Sequence, residues 1–330
     1  MKLLNHLPEY ITPVRFQRTI QSIFLLYSIW IGWRFYQFTL WASGQTDIYT
    51  PRPDSVEAFL PISALMSLRD LIQTHHWDVI HPAGLSLFLI AITISFFFRK
   101  AFCGYICPVG LISGWLNCIG NKLHLSKVPP RWIDYLLQLI KYSILAFFIW
   151  GVVFRMSLDD IHGFMRSPFN LVADAQMLQF FLHPSTTTLL ILASLFVLGI
   201  VLRSFWCRYL CPYGALLGLF SKFSPIYINR EEENCIHCGK CRQACPAGIE
   251  VDVREKIIST ECLGCMRCRA VCPQEECLTA RLGDSPIRWW YIGAGAIIMF
   301  MLLWFIAFGL GVWESTVPEE IFRIFYQKIM

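Results

Sequence analysis

The sequence predicts an α-helical integral membrane protein with about five transmembrane helices, four of them in two pseudo-repeated helix pairs, and one small α+β module. Three observations predict it. Hydrophobic residues make up 55% of the chain and charged residues 15%, more apolar surface than a soluble protein of this length can hide. Those residues fall into separate runs, long enough to span a bilayer or nearly so, with basic or aromatic residues at their edges. The fourteen cysteines are gathered into short repeated patterns.

The α+β module is read from two of those patterns. One is Cys235-Ile-His-Cys238-Gly-Lys-Cys241-Arg-Gln-Ala-Cys245-Pro246, and the other is Cys262-Leu-Gly-Cys265-Met-Arg-Cys268-Arg-Ala-Val-Cys272-Pro273. Each is C-x2-C-x2-C-x3-C-P, the spacing of bacterial ferredoxins with two 4Fe–4S clusters. Three thiolates from one tight loop wrap one cluster, and the fourth, carried off by the Pro, reaches the other. The spacing therefore assigns Cys235, Cys238, Cys241 and Cys272 to one cluster, and Cys262, Cys265, Cys268 and Cys245 to the second. Structural zinc favours two cysteine pairs with a longer loop between them. Disulfides need an oxidising compartment, which the orientation below denies to this segment.

Taken in order, residues 1–17 are a polar lead. Residues 20–41 form a first apolar run, too long for a signal h-region and so read as an uncleaved anchor, with Arg34 snorkelling. Residues 43–80 read as a polar loop ending at His81-Pro82. A second run, 83–98, continues helically through Ala101-Phe102. Residues 109–134 are amphipathic and basic, suited to an interface, and stop at Pro129-Pro130. A third run covers 135–154, with Lys141 near its inner end, where snorkelling suffices. Residues 155–186 read as a second loop, ending at His183-Pro184. A fourth run covers 187–206, the cluster module 229–283, and a fifth run 289–313, before an amphipathic tail at 314–330. The expected domains are 1–228, 229–283 and 284–330.

Orientation follows the basic residues. One side holds Lys2, Arg15, Arg18, Arg99, Lys100, Lys122, Lys127, Arg131, Arg203, Arg208, Lys222, Arg281 and Arg288; the other holds Arg52, Arg69, Arg155, Arg166, Arg323 and Lys328. The richer side is the cytoplasm. The N-terminus and the cluster module then lie inside and the C-terminal tail outside. The net charge of +5 reflects these flanks and not a nucleic-acid surface.

The membrane part contains a second cysteine pattern. Arg99-Lys-Ala-Phe-Cys103-Gly-Tyr-Ile-Cys107-Pro108-Val-Gly110 matches Arg203-Ser-Phe-Trp-Cys207-Arg-Tyr-Leu-Cys211-Pro212-Tyr-Gly214, both C-x-Y-x-C-P-x-G. Each follows a run that opens on His-Pro. Two copies of one unit, running in the same direction, would pack about an axis along the membrane normal, with the site at their interface. Cysteines at i and i+4 share a helix face, which the Pro ends. Cys103, Cys107, Cys207 and Cys211 are thus a candidate four-thiol site at the inner membrane edge, for which an iron–sulfur group, Cu(I) and a redox dithiol pair all fit. Cys118 and Cys277 receive no role.

Elsewhere the signals are weaker. His81 and His183 read as helix starts with Pro in the first turn. Haem is not expected, since no run carries a central His and C-x-x-C-H is absent. Asp159, Asp160, His162 and Arg166 could take quinol protons, although a solvated loop explains each alone. No catalytic residue is assigned; nucleotide and hydrolase motifs are missing.

Together, the twin C-x3-C-P motifs and the double ferredoxin motif resemble the NapH/NosR/CcoG-like group of membrane-bound 4Fe–4S polyferredoxins over residues 15–283. The stretches Phe102-Cys-Gly-Tyr-Ile-Cys-Pro-Val-Gly110 and Trp206-Cys-Arg-Tyr-Leu-Cys-Pro-Tyr-Gly-Ala-Leu-Leu217 carry the resemblance. It implies a bacterial inner-membrane protein that relays electrons between the quinone pool, or a cytoplasmic donor, and a periplasmic respiratory partner, as a NapH-like quinol dehydrogenase does. The alternative it implies is a metal-handling or assembly factor, such as a CcoG-like Cu(II) reductase using the membrane thiols. The fifth run and the developed first outer loop depart from the NapH pattern. No flavin-binding extension is expected ahead of the first run.

Overall fold

The computed structural model describes residues 12–274 and 276–329; Lys2 and most of the polar lead lie outside them. The chain forms two compact units. One takes the chain as far as Leu25, with Ile92–Tyr142 and Leu195–Phe300; the other takes Leu26–Ala91, Ser143–Ser194 and the chain from Met301 onward.

In the first unit an antiparallel sheet anchors the cysteine loops. Its strands β1 (Ile226–Arg230), β2 (Lys256–Ile257), β3 (Leu278–Leu282) and β4 (Ser285–Ile287) lie in the order β2-β1-β3-β4. Buried Ile228 sits opposite Ile257 on one side and Ala280 on the other. The tight β3–β4 turn uses Gly283 at φ 57°, a left-handed conformation that costs Gly little.

Each C-x3-C-P segment folds the same way. The apolar helix Pro82–Phe98 breaks at Arg99, whose φ is 63°; the chain then makes one wide π turn, Phe102–Ile106, and re-enters a helix at Pro108–Lys122. The later copy runs Thr186–Val201, a break at Ser204 (φ 52°), the π turn Trp206–Leu210 and the helix Pro212–Ser221. This corrects the expectation of an unbroken helix with its cysteines one α-turn apart. Cys107 and Cys211 are extended N-cap residues, and each Pro opens the next helix, where its missing N–H costs nothing. The interfacial segment is likewise two pieces: Pro108–Lys122 ends before Pro129-Pro130, and a new helix starts at Arg131.

Among the described residues two helices are long and apolar enough to cross a membrane, Arg131–Arg155 and Tyr291–Gly309. A third joins them if Ala173–Leu182 and Thr186–Val201, bent by 82°, make one span. Pro82–Phe98 is apolar but shorter. The long helix Pro13–Ala42 carries Gln17, Arg18, Gln21 and Arg34, which lower its mean hydropathy.

In the second unit, the segments read as outer loops are largely helical. Pro61–Thr74, Leu158–Met165 and Ala173–Leu182 are helices, Asp54–Phe59 is a 3-10 turn, and the amphipathic tail holds the helix Glu319–Ile329. Ser157 and Asp160 close a capping box on Leu158–Met165, so Asp160 has a structural role, and His162 Nε2 pairs with Asp70 at 2.8 Å. Phe35, Phe38, Val172, Phe322 and Tyr326 share one core cluster. Beside it Arg52 donates to Asp174 (2.7 Å) and to Glu57 (2.9 Å), and Tyr326 donates to Asp174 (2.7 Å), all buried. His81 belongs to this network and does more than open a helix. Its Nδ1 lies 3.2 Å from Glu57 Oε1 and its Nε2 2.9 Å from the Asn170 carbonyl. Both ring nitrogens face acceptors; burial works against a charged ring, but the Glu57 hydrogen bond and charge outweigh it and raise the His81 pKa.

Candidate functional site

Both cysteine loops of the α+β module are shaped by the same backbone device. In the first, His237 (φ 53°) and Gly239 (φ 69°) are left-handed; in the second, Gly264 (φ 64°) and Met266 (φ 55°) occupy the corresponding places. Alternating left-handed residues curl the chain so that three successive cysteines face inward. A short helix begins just before the third cysteine of each loop, Lys240–Ala244 and Arg267–Ala270, and the fourth cysteine leaves with its Pro.

The first set encloses a cavity lined by Cys235, Cys238, Cys241 and Cys272, with Arg230, His237, Asp252 and Cys277 also on its wall. Cys238 is exposed. The Cys235 thiol is held below its usual range: burial works against ionisation, but hydrogen bonds from the His237 backbone and the Arg230 side chain outweigh it. In the second set Cys245, Cys262, Cys265 and Cys268 are all buried. Cys245, Cys262 and Cys265 stand near enough to Cys268 to repel its ionised form, and burial pushes the Cys245 thiol up to about 12. The structure therefore groups Cys272 with the first loop and Cys245 with the second.

Cys103, Cys107, Cys207 and Cys211 also come together. Cys107 and Cys211 act electrostatically on Cys103, and Cys103 and Cys211 on Cys207. Their surfaces are partly open, yet burial beneath neighbouring atoms pushes Cys103, Cys107 and Cys207 up to about 12. As free thiols they keep their protons, and a metal would have to displace them. Lys100 is the cation that favours ionised Cys103 and Cys207. The motif's Gly is explained at Gly110: a Cβ there would meet the Cys103 carbonyl at 2.4 Å.

Both C-x3-C-P segments dock on the second cysteine set. Lys100 N donates to the Cys262 carbonyl (3.3 Å), and Tyr105 Oη to the Gly264 carbonyl (3.4 Å). Arg203 donates to the Gln243 and Cys245 carbonyls (3.0 and 3.2 Å), and Ser204 Oγ to the Pro246 carbonyl (2.9 Å). Arg208, from the second motif, chelates Asp134, which Tyr209 also bonds at 2.7 Å. The docking residues missed by sequence reasoning are thus Tyr105, Arg203 and Ser204; the shared Tyr of the two motifs was the available signal. Lys141 was read as snorkelling, but it is buried and paired with Glu261 at 2.6 Å.

Among the described residues no three His, Cys, Asp or Glu groups converge on a point suited to a single ion. The cavity of the first set is lined by cysteine sulfurs, the donor type of a cubane, whose four irons each take one thiolate.

Comparison with known proteins agrees with this chemistry. A family profile described as "4Fe-4S binding domain" matches residues 80–126 and again 185–229. A profile described as "4Fe-4S dicluster domain" matches residues 227–273. The chain is 38% identical over 310 residues to YccM of Escherichia coli, named an electron transport protein, covering 92% of this chain and 85% of that one. It is 29% identical over 171 residues to the methylamine utilization ferredoxin-type protein MauN of Methylorubrum extorquens, covering 50% and 54%. It is 25% identical over 199 residues to the regulatory protein NosR of Stutzerimonas stutzeri, covering 58% and 26%. No solved structure matches. An iron–sulfur electron-transfer role follows from the profiles and the relatives together: the chain belongs to the family of membrane-associated 4Fe–4S ferredoxin-type electron transport proteins that includes YccM, MauN and NosR.

Proposed function

We propose that this protein relays electrons through three thiolate sites in series, between a cytoplasmic donor or the quinone pool and a periplasmic respiratory partner. Cys235, Cys238, Cys241 and Cys272 would hold one 4Fe–4S cluster; Cys262, Cys265, Cys268 and Cys245 would hold the other. When bound, such clusters supply one-electron transfer at potentials set by their surroundings. The chain arranges the rest. Exposed Cys238 leaves the first site open to a soluble partner. The cysteines of the second site are buried, which would limit solvent reorganisation. The membrane thiols Cys103, Cys107, Cys207 and Cys211 stand beyond it, with Lys100 balancing their charge.

The observation that carries this reading is the docking of both C-x3-C-P segments on the backbone of the second site, through Lys100, Tyr105, Arg203 and Ser204. It supports an order in which the C-x3-C-P thiols adjoin the second site. In this reading the chain crosses a bacterial inner membrane five times, with residues 1–228 as two repeated helix pairs, module 229–283 in the cytoplasm, and 284–330 carrying the last span and a periplasmic tail.

The test is low-temperature EPR with metal analysis on anaerobically purified protein, followed by mixing with a quinol analogue. Two interacting 4Fe–4S signals that appear on reduction by quinol, and vanish with an added acceptor, support the relay. Zinc in place of iron, or clusters that no quinol or acceptor touches, would overturn it.

A second reading has its own observation: the four membrane sulfurs stand near enough to act on one another electrostatically, and soft thiolates suit Cu(I). A Cu(II) reductase would lose copper capture on Cys103→Ser with Cys207→Ser. Unchanged copper reduction in that variant excludes this reading.

A further inference from the structure

The cavity of the first site is lined by five thiols where a cubane needs four: Cys235, Cys238, Cys241, Cys272 and Cys277. Cys277 stands outside the C-x2-C-x2-C-x3-C-P pattern. It is 2% exposed, and its sulfur lies within interaction range of both Cys235 and Cys272. Its backbone is well held: Glu231 N donates to its carbonyl at 2.8 Å, and the next residue, Leu278, opens β3 opposite Arg230. Its sulfur is weakly held, with the Glu231 carbonyl at 3.8 Å as a soft acceptor.

We infer that Cys277 is a fifth ligand-competent thiol of the first site, able to take the iron that Cys272 holds. The inference rests on the reading that this site carries a cluster. The exchange needs a side-chain rotation and no refolding, since Cys277 is already on the cavity wall. It balances without an oxidant or reductant. With a cluster bound, one iron–sulfur bond to Cys272 would break, one to Cys277 would form, and the Cys277 proton would pass to the departing thiolate. A site open to solvent through Cys238 would thereby survive loss or oxidation of one ligand.

The experiment uses full-length protein purified without oxygen, with iron and sulfide counted per chain and both clusters followed by EPR. Cys277→Ala should keep the wild-type iron content. Cys272→Ala should also keep it, with an altered signal from the first site. Cys272→Ala with Cys277→Ala should lose about four irons per chain, one cubane, as should the control Cys268→Ala in the second site. The second-site signal in the Cys272 and Cys277 variants reports that the module still folds. If Cys272→Ala alone loses as much iron as the double variant, or if Cys277→Ala alone does, the inference is overturned. Wild-type protein without iron would instead overturn the cluster reading, and this inference with it.

Discussion

Lys141 Nζ lies 2.6 Å from Glu261 Oε1, with the lysine side chain fully enclosed and the glutamate nearly so. Glu261 Oε2 also meets Lys100 Nζ at 3.3 Å. One carboxylate therefore bridges two buried amines, directly before Cys262 and beside the residue that favours ionised Cys103 and Cys207.

Glu261→Gln should be strongly destabilising, by about 3–5 kcal/mol, because it leaves two buried ammonium groups without a counter-charge. Thermal unfolding in detergent checks this. Burial works against the charge of Glu261, but Lys100 and Lys141 outweigh it and hold its pKa below the usual range. A depressed carboxylate stabilises the fold above its unfolded pKa and loses that contribution as pH falls through the folded value. The wild type should lose stability at acid pH more steeply than the variant.

Asp54 predicts the opposite slope. Burial, and then Glu57, raise its carboxyl to about 6, against the opposing pull of Arg52. The folded state binds this proton more tightly than the unfolded state, so the contribution is present at low pH and lost as pH rises through about 6. Asp54→Asn should be more stable than wild type at pH 7.5, by about 1–3 kcal/mol, and equal to it below pH 3.8. Melting curves across pH decide it.

Gly110 and Gly214 occupy the same place in the two motifs but not the same space. A Cβ at Gly110 meets the Cys103 carbonyl at 2.4 Å, while at Gly214 the nearest atom, the Cys207 carbonyl, is 3.5 Å away. Gly110→Ala should displace the first motif and lower protein yield and metal retention. Gly214→Ala should be close to neutral. Equal damage from both would contradict the packing described here.

Arg203 places a guanidinium against the Gln243 and Cys245 carbonyls. Removing that cation makes it harder to add an electron to the second site, so Arg203→Ala should shift that site's reduction potential to more negative values, and Arg203→Lys should recover part of the shift. A redox titration followed by EPR measures it. A shift confined to the first site would refute the docking order.

Much of the chemistry is legible in short windows of sequence. Iron–sulfur binding and the family follow from eight cysteines at fixed spacing and two C-x3-C-P phrases, because the ligands of a cluster come mostly from one loop and therefore leave a local trace. Helical, membrane-compatible character follows from composition for the same reason: hydropathy is a property of neighbouring residues.

Other features depend on partners far away in the chain. Lys141 reads as a snorkelling lysine until Glu261, 120 positions on, arrives beside it. His81 reads as a helix start until Glu57 and Asn170 close on its two nitrogens. The π turns are also invisible to an i, i+4 rule, since they arise where Arg99 and Ser204 take left-handed backbone and the motif turns back toward the cysteine loops. Cys277 looked idle because its meaning lies in a wall that β1, β3 and a helix end build together. Spacing along the chain decides which atoms can bind iron; only packing brings distant charges and a fifth sulfur to the same place, because burial and Coulomb attraction act through space.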